Sequence, residues 1–135
     1  MVDRLRDQFV TFLEAHHIGV LSLSDRGDAW AMPVRYTSRA LAVACLLPRW
    51  AEISFRLESS PGVLLVIPSA AAEHHWLGYQ GSARVRPLAE WPALHPNAPT
   101  ALSPDVLYQV LELAPRRLEL IDERHGWGRR LNLDF

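Results

Sequence analysis

The apolar pattern of this chain changes period once, near Gly19, and that switch constrains the fold more than any other feature. Before it, Leu5, Phe9, Phe12 and Leu13 recur at helical spacing, which predicts an amphipathic helix over residues 3–16 with Asp3 as its N-cap. After it the chain breaks into short apolar runs separated by turn residues, the pattern of strands. Val20-Leu21-Ser22-Leu23 leads into Asp25-Arg26-Gly27-Asp28, a turn rich in residues that tolerate positive φ, and then Ala29 to Tyr36, so a β-hairpin is expected. In its second strand Trp30, Met32, Val34 and Tyr36 alternate with Ala29, Ala31, Pro33 and Arg35, giving one bulky face and one small or polar face. Leu41 to Leu47 is almost wholly apolar, as in a strand buried on both faces, and Pro48 ends it. Trp50 to Leu57 fits a short helix that Ser59-Ser60-Pro61-Gly62 stops.

Two further strands are expected at Val63 to Ile67 and Trp76 to Val85. In the second, Gly78 and Gly81 mark bulges or a close backbone approach. Residues 87–104 carry five prolines among small and polar residues and read as an irregular crossover. Leu107 to Leu113 and Leu118 to Ile121 read as strand broken by Ala114-Pro115-Arg116, and Leu131, Leu133 and Phe135 alternate with polar residues in a closing strand. The segment after the crossover is too short to bury a core alone, so residues 1–135 are read as a single domain. The fold class is mainly β: an antiparallel barrel of six to seven strands, with an N-terminal helix and a short helix after the third strand.

Charge and composition narrow the function classes. A hydrophobic content of 49% with 21% charged residues is that of an ordinary globular domain and sets disorder aside. A net charge of -1, with the 14 basic residues scattered, supplies no field to collect nucleic acid. Cys45 is the only cysteine, which excludes an intrachain disulfide framework and a cysteine-based zinc site and suits a reducing compartment. Met1 to Asp7 carries acid and base before any apolar stretch and no apolar run reaches the length of a bilayer span, so the expected location is cytoplasmic with no membrane partner.

Four stretches, in order, resemble the pyridoxamine 5′-phosphate oxidase-like split-barrel family. They are Ile18-Gly19-Val20-Leu21-Ser22 with Ala31-Met32-Pro33-Val34-Arg35-Tyr36, then Leu57 to Val66 around Pro61-Gly62, then Trp76-Leu77-Gly78-Tyr79-Gln80-Gly81-Ser82-Ala83-Arg84-Val85, and last Pro115 to Asp122 with Gly126-Trp127-Gly128-Arg129-Arg130. The resemblance implies a split barrel that forms a homodimer and holds a flavin, usually FMN, in grooves shared by both subunits. An oxidoreductase acting on a small-molecule substrate is the implied activity, and a cofactor-free dimer, or one binding haem or a deazaflavin, is the alternative. Many FMN-binding members carry a Ser-Arg-Lys-like segment at the start of the short helix, whose cations and hydroxyl hold the phosphate; here that stretch is Trp50-Ala51-Glu52-Ile53-Ser54, with a carboxylate where cations are expected.

The cofactor-binding residues that follow are Arg35, Arg49, Trp50, Ser54, Gln80, Trp127 and Arg130. Arg35, on the inner strand, and Arg49, beside the short helix, are the cations to replace the missing pair, whereas Arg56 reads as a surface residue. Gln80 is a hydrogen-bond partner for the polar edge of a flavin or else faces water. Trp127 and Arg130 correspond to a segment that in relatives reaches the partner's flavin, and Trp127 equally suits a dimer contact. Five tryptophans exceed what a small barrel interior holds, so the face near Trp30, Tyr36 and Trp127 is expected to form a dimer interface or cofactor groove. The pairs His16-His17 and His74-His75 point apart on regular elements and are not expected to hold a metal. Cys45 is expected as a buried small hydrophobe, and no Ser-His-Asp pattern is present.

Overall fold

The computed structural model describes residues 2–58, 61–96 and 104–135. Helix α1 (Val2–Ala15) is followed by strands β1 (Ile18–Asp25), β2 (Asp28–Arg39) and β3 (Ala42–Pro48), helix α2 (Glu52–Arg56), and strands β4 (Gly62–Pro68) and β5 (His75–Arg86). Two 3-10 turns (Leu88–Glu90 and Pro92–Leu94), a single helical turn α3 (Pro104–Leu107), strand β6 (Tyr108–Asp122), a 3-10 turn (Glu123–His125) and strand β7 (Arg130–Asp134) complete the chain. The sheet runs β3-β2-β1-β4-β5-β6-β7, all antiparallel, and a further pairing of β3 with β6 closes the first six strands into a barrel. The mainly β class expected from the period switch is therefore what forms. Ser59 and Ser60 of the expected turn, and Pro99 of the expected crossover, lie outside the described residues.

The barrel interior is filled by alternate residues of each strand, among them Leu21, Val34, Tyr36, Cys45, Leu65, Tyr79, Leu111 and Leu118. Helix α1 adds Phe9, Phe12 and Leu13 to this core, and α2 adds Ile53 with Leu57 just past its end, so both helices bury an apolar face. Asp3 is not the N-cap: the helix already begins at Val2, which leaves Asp3 in the first turn, where its carboxylate complements the positive end of the helix. Tyr36 belongs to the core and not to the outer face expected for it. It is 1% exposed, and its hydroxyl donates to the Leu13 carbonyl at 2.9 Å, tying the end of α1 to β2.

Residues 87–94 are more ordered than a plain crossover. The two 3-10 turns bury Leu88, Trp91 and Leu94 against Ala44 and Val110, with Leu46 packed alongside, making a second, smaller core on the outside of the barrel. This is why β3 is apolar on both faces. Arg39 clamps the turns, its guanidinium 3.9 Å from the centre of the Trp91 ring and donating to the Glu90 carbonyl at 2.7 Å.

Strand β6 is not broken at Ala114-Pro115-Arg116 as expected but runs for 15 residues through a bulge. Gly81 pairs with Pro115 and Gln80 with Arg117, so Arg116 is the extra residue. Proline is tolerated there because a bulge interrupts the ladder that its missing N–H would otherwise serve. A Cβ at position 81 would lie 2.6 Å from the Ala114 carbonyl oxygen, so only glycine allows this approach. Gly78 makes no bulge: it pairs in register with Glu119, and a Cβ there would meet only an ordinary contact at 3.8 Å.

Three outcomes follow from this packing. Tyr36→Phe removes the bond to Leu13 and should lower unfolding stability by about 1 kcal/mol, read as a reduced denaturant midpoint with unchanged slope. Gly81→Ala forces the bulge to shift and should cost about 1–3 kcal/mol, against a negligible change for Gly78→Ala. Burial pushes the Cys45 thiol up to about 12; iodoacetamide at mildly alkaline pH should therefore label the denatured chain and spare the native one.

Candidate functional site

A closed barrel leaves its chemistry on the outside, and here the outer surface divides in two. Around β3 and the first half of β6 it is covered by the second core and rimmed by ion pairs, with Arg84 donating to Glu112 at 2.7 and 3.1 Å and Arg86 3.8 Å from the same carboxylate. Around β2, β1, β4, β5, the second half of β6 and β7 the sheet is open. The bulge at Gly81 and Arg116 marks the corner between the two halves.

Strand register lays out the open face in rows. One row reads Pro33, Val20, Val66, Gly78, Glu119, Asn132 from β2 to β7, and the next reads Ala31, Ser22, Leu64, Gln80, Arg117, Asp134. Toward the other end, Arg35 pairs with Ile18, and Trp76 pairs with Ile121, which pairs with Arg130. The centre of the face is apolar: Ile18 is 66% and Val20 40% exposed, with Leu64, Val66 and Trp76 half-buried beside them. Its margins are charged. Arg35 lies exposed on the β2 side; on the β6–β7 side Arg130 is 3.9 Å from Glu119 and Arg117 is 3.7 Å from Asp134.

The residues that the sequence nominates fall into three places. Arg35, Gln80 and Arg130 share the open face, with β2 and β5 three strand spacings apart, about 14 Å. Trp127 stands in the β6–β7 turn, 85% exposed, with its ring edge-on to that of His74 at 5.7 Å between centres. Positive φ at Gly126 and Gly128 shapes that turn, and the Gly128 N–H donates to Glu123 Oε2 at 2.9 Å. Arg49, Trp50 and Ser54 lie apart from the others, at the corner between β3 and α2.

That corner does not fit a phosphate. Arg49 is spent on the chain itself, its Nε donating to the Asp105 carbonyl at 2.9 Å and its Nη1 to Gln109 Oε1 at 3.4 Å. Ser54 Oγ donates to the Pro48 carbonyl at 2.9 Å. Glu52 opens α2 with a negative charge, and Arg56, one turn on, is 3.4 Å from it while covering the Trp30 ring at 4.8 Å. Trp50 is 74% exposed and makes a free aromatic surface. An anion placed here would meet a carboxylate first and find both nearby guanidinium groups already engaged.

Two further features were not singled out in the sequence. The doublet Arg116-Arg117 lines a groove of about 660 Å³ with Ser22, Gln80, Asp134 and Phe135; its signal was the pairing of a proline with a glycine, visible only once the register is known. On the far side, a cleft of about 680 Å³ between α1 and residues 69–71 holds Phe12, stacked on His16 at 4.2 Å and meeting His75 edge-on at 5.2 Å. His16 Nδ1 hydrogen-bonds to the Phe12 carbonyl at 2.8 Å, and burial lowers the pKa of His75 below the usual imidazole range. Two hydrogen bonds from Arg124 hold the Asp122 carboxyl well below the usual carboxylate range at the edge of this cleft. Among the described residues no three His, Cys, Asp or Glu side chains gather in a way that would hold a metal, and no helix is long and apolar enough to cross a membrane.

No family model matches the chain, and no curated protein does either. Solved structures do. A protein related to general stress protein 26, described as of the pyridoxinephosphate oxidase family, from Clostridium acetobutylicum superposes with a TM-score of 0.76 at 10% identity over 98% of this chain and 96% of its own. A heme binding protein from Mycobacterium smegmatis gives 0.68 at 23% identity, covering 96% of this chain but 56% of the other. An F420 reductase gives 0.67 at 14% identity over 80% and 93%. Barrel closure by β3 and β6, the helix before β1 and the short helix after β3 are thus matched across nearly the whole chain: it has the split-barrel fold of the pyridoxamine 5′-phosphate oxidase-like proteins.

Proposed function

We propose that two copies of this chain pair through the open sheet face and hold a flavin in two equivalent sites between them, as an oxidoreductase acting on a small-molecule substrate. The observation that carries this reading is the open face itself: an apolar centre with Ile18 66% exposed, cations at both margins, and nothing among the described residues that covers it. Soluble monomers rarely leave such a strip bare. A two-fold pairing sets the same patch against itself, so the β2 margin of one copy, with Arg35, meets the β5 and β7 margin of the other, with Gln80 and Arg130. Residues that are about 14 Å apart or more in one subunit then border one cleft. Trp127, projecting from the β6–β7 turn, supplies a ring to lie on the face of a tricyclic ligand.

A flavin would bring the redox chemistry, and the chain's own part is to bind, orient and keep water out. This reading rests on the ring and not on the phosphate, because the corner at Glu52 and Arg56 is unsuited to a phosphomonoester. The same corner favours one competing reading, a split-barrel dimer that binds no cofactor. The fold is shared with a structure described as an F420 reductase and with one described as a heme binding protein, which supports a flat conjugated ligand as the class.

Titration of riboflavin and FMN into the purified protein, followed by flavin fluorescence, separates these readings. Saturable quenching by both, at affinities within about threefold because the phosphate gains nothing, is the expected result. Trp127→Ala should weaken binding about tenfold, the loss of one well-placed ring contact, and should weaken dimerisation in sedimentation equilibrium together with it. A dimer that quenches neither flavin establishes the cofactor-free reading, and a stable monomer at micromolar concentration defeats the shared site altogether.

A further inference from the structure

We propose that the β5–β6 bulge builds an oxyanion-binding site, in which Arg116 and Arg117 hold a carboxylate or phosphoryl group of a small aromatic molecule. The argument begins with strand geometry. Successive side chains of a strand point to opposite faces, so in a regular β6 one of two neighbouring arginines would enter the barrel, where a guanidinium has no partner. The extra residue at Arg116 removes that conflict: with Gly81 opposite Pro115 and Gln80 opposite Arg117, both arginines are exposed and line the same groove on the open side. Gly81 is what permits the bulge, since its missing Cβ leaves room for the Ala114 carbonyl.

The charges in the groove are unbalanced. Arg116 makes no side-chain hydrogen bond or ion pair among the described residues. Arg117 is 3.7 Å from Asp134, and both groups are well exposed, so that contact is weak and easily exchanged for a better acceptor. Two cationic side chains thus face one carboxylate side chain, and Gln80, exposed on the adjacent strand, adds amide donors beside them. Forked guanidinium donors match the oxygens of a carboxylate or phosphoryl group in a way that a single ammonium does not. The groove also has a flat apolar wall: Phe135 is 60% exposed, and its backbone N–H donates to the Arg116 carbonyl at 3.0 Å, which fixes the ring's residue to the bulge. A volume of about 660 Å³ accommodates a small aromatic acid with room for water.

The site shares Gln80 and the open face with the proposed flavin cleft but does not need a flavin, and it is tested without added flavin. Isotope-labelled protein is titrated with phenyl phosphate, benzoate and inorganic phosphate at constant ionic strength, and backbone amide shifts are followed. Saturable shifts confined to the bulge, the neighbouring part of β5 and the end of β7 are expected, with phenyl phosphate about threefold or more tighter than inorganic phosphate because of the Phe135 ring. Phenyl phosphate ahead of benzoate assigns the phosphoryl group, and the reverse order assigns the carboxylate. The double variant Arg116→Gln/Arg117→Gln should weaken binding about tenfold or more, and Arg129→Gln should leave it unchanged. Asp134→Asn, which removes the competing carboxylate, should tighten binding severalfold, a gain that no loss of folding can imitate. Shifts that do not saturate, that are the same in the double-arginine variant, or that weaken in Asp134→Asn overturn the proposal.

Discussion

Everything in this molecule depends on the pairing of β3 with β6. Without it the seven strands form an open ribbon with two exposed edges; with it, six residue pairs from Val43–Leu113 to Pro48–Tyr108 close a barrel whose core the helices then complete. The closure makes unusual demands on β6, which must pair with β3 and β5 over its first half and with β5 and β7 over its second. A straight strand cannot serve both sets of neighbours. The bulge opposite Gly81 bends it between them, so the site proposed on that bulge is a by-product of the geometry that closes the barrel.

The fold was legible because its elements announce themselves locally. Leu5, Phe9, Phe12 and Leu13 carry a helical period, Trp30 to Tyr36 a strand period, and Asp25 to Asp28 a hairpin turn, and each needs only a few neighbouring residues to be read. What escaped was everything that depends on partners distant in sequence. Ala114-Pro115-Arg116 looks like a break until Gly81 is known to lie opposite. Tyr36 looks like surplus aromatic surface until α1 presents the Leu13 carbonyl to its hydroxyl. Trp91 sits among prolines in a stretch that reads as a connector, yet β3 requires a cover on its outer face and this segment supplies it.

The candidate site was legible in part, for the same reason. Arg35 and Gln80 were found by position along strands and Arg130 by the turn that resembles the family's closing segment, and register brings the three to one face. Arg49 and Ser54 were nominated by their place beside α2, but side chains choose partners by proximity, and theirs are the Asp105 and Pro48 carbonyls. A residue type can mark a chemistry that the chain has already used to hold itself together.

The second core has a consequence for how the molecule breathes. Leu88, Trp91 and Leu94 rest on the outside of a barrel that is already closed beneath them, held by Arg39 stacked on Trp91 and by that same guanidinium's bond to Glu90. No strand pairing has to break for this patch to lift. Opening there would be a sub-global event that needs less free energy than opening the barrel. Its backbone amides should therefore exchange faster than those of the barrel wall.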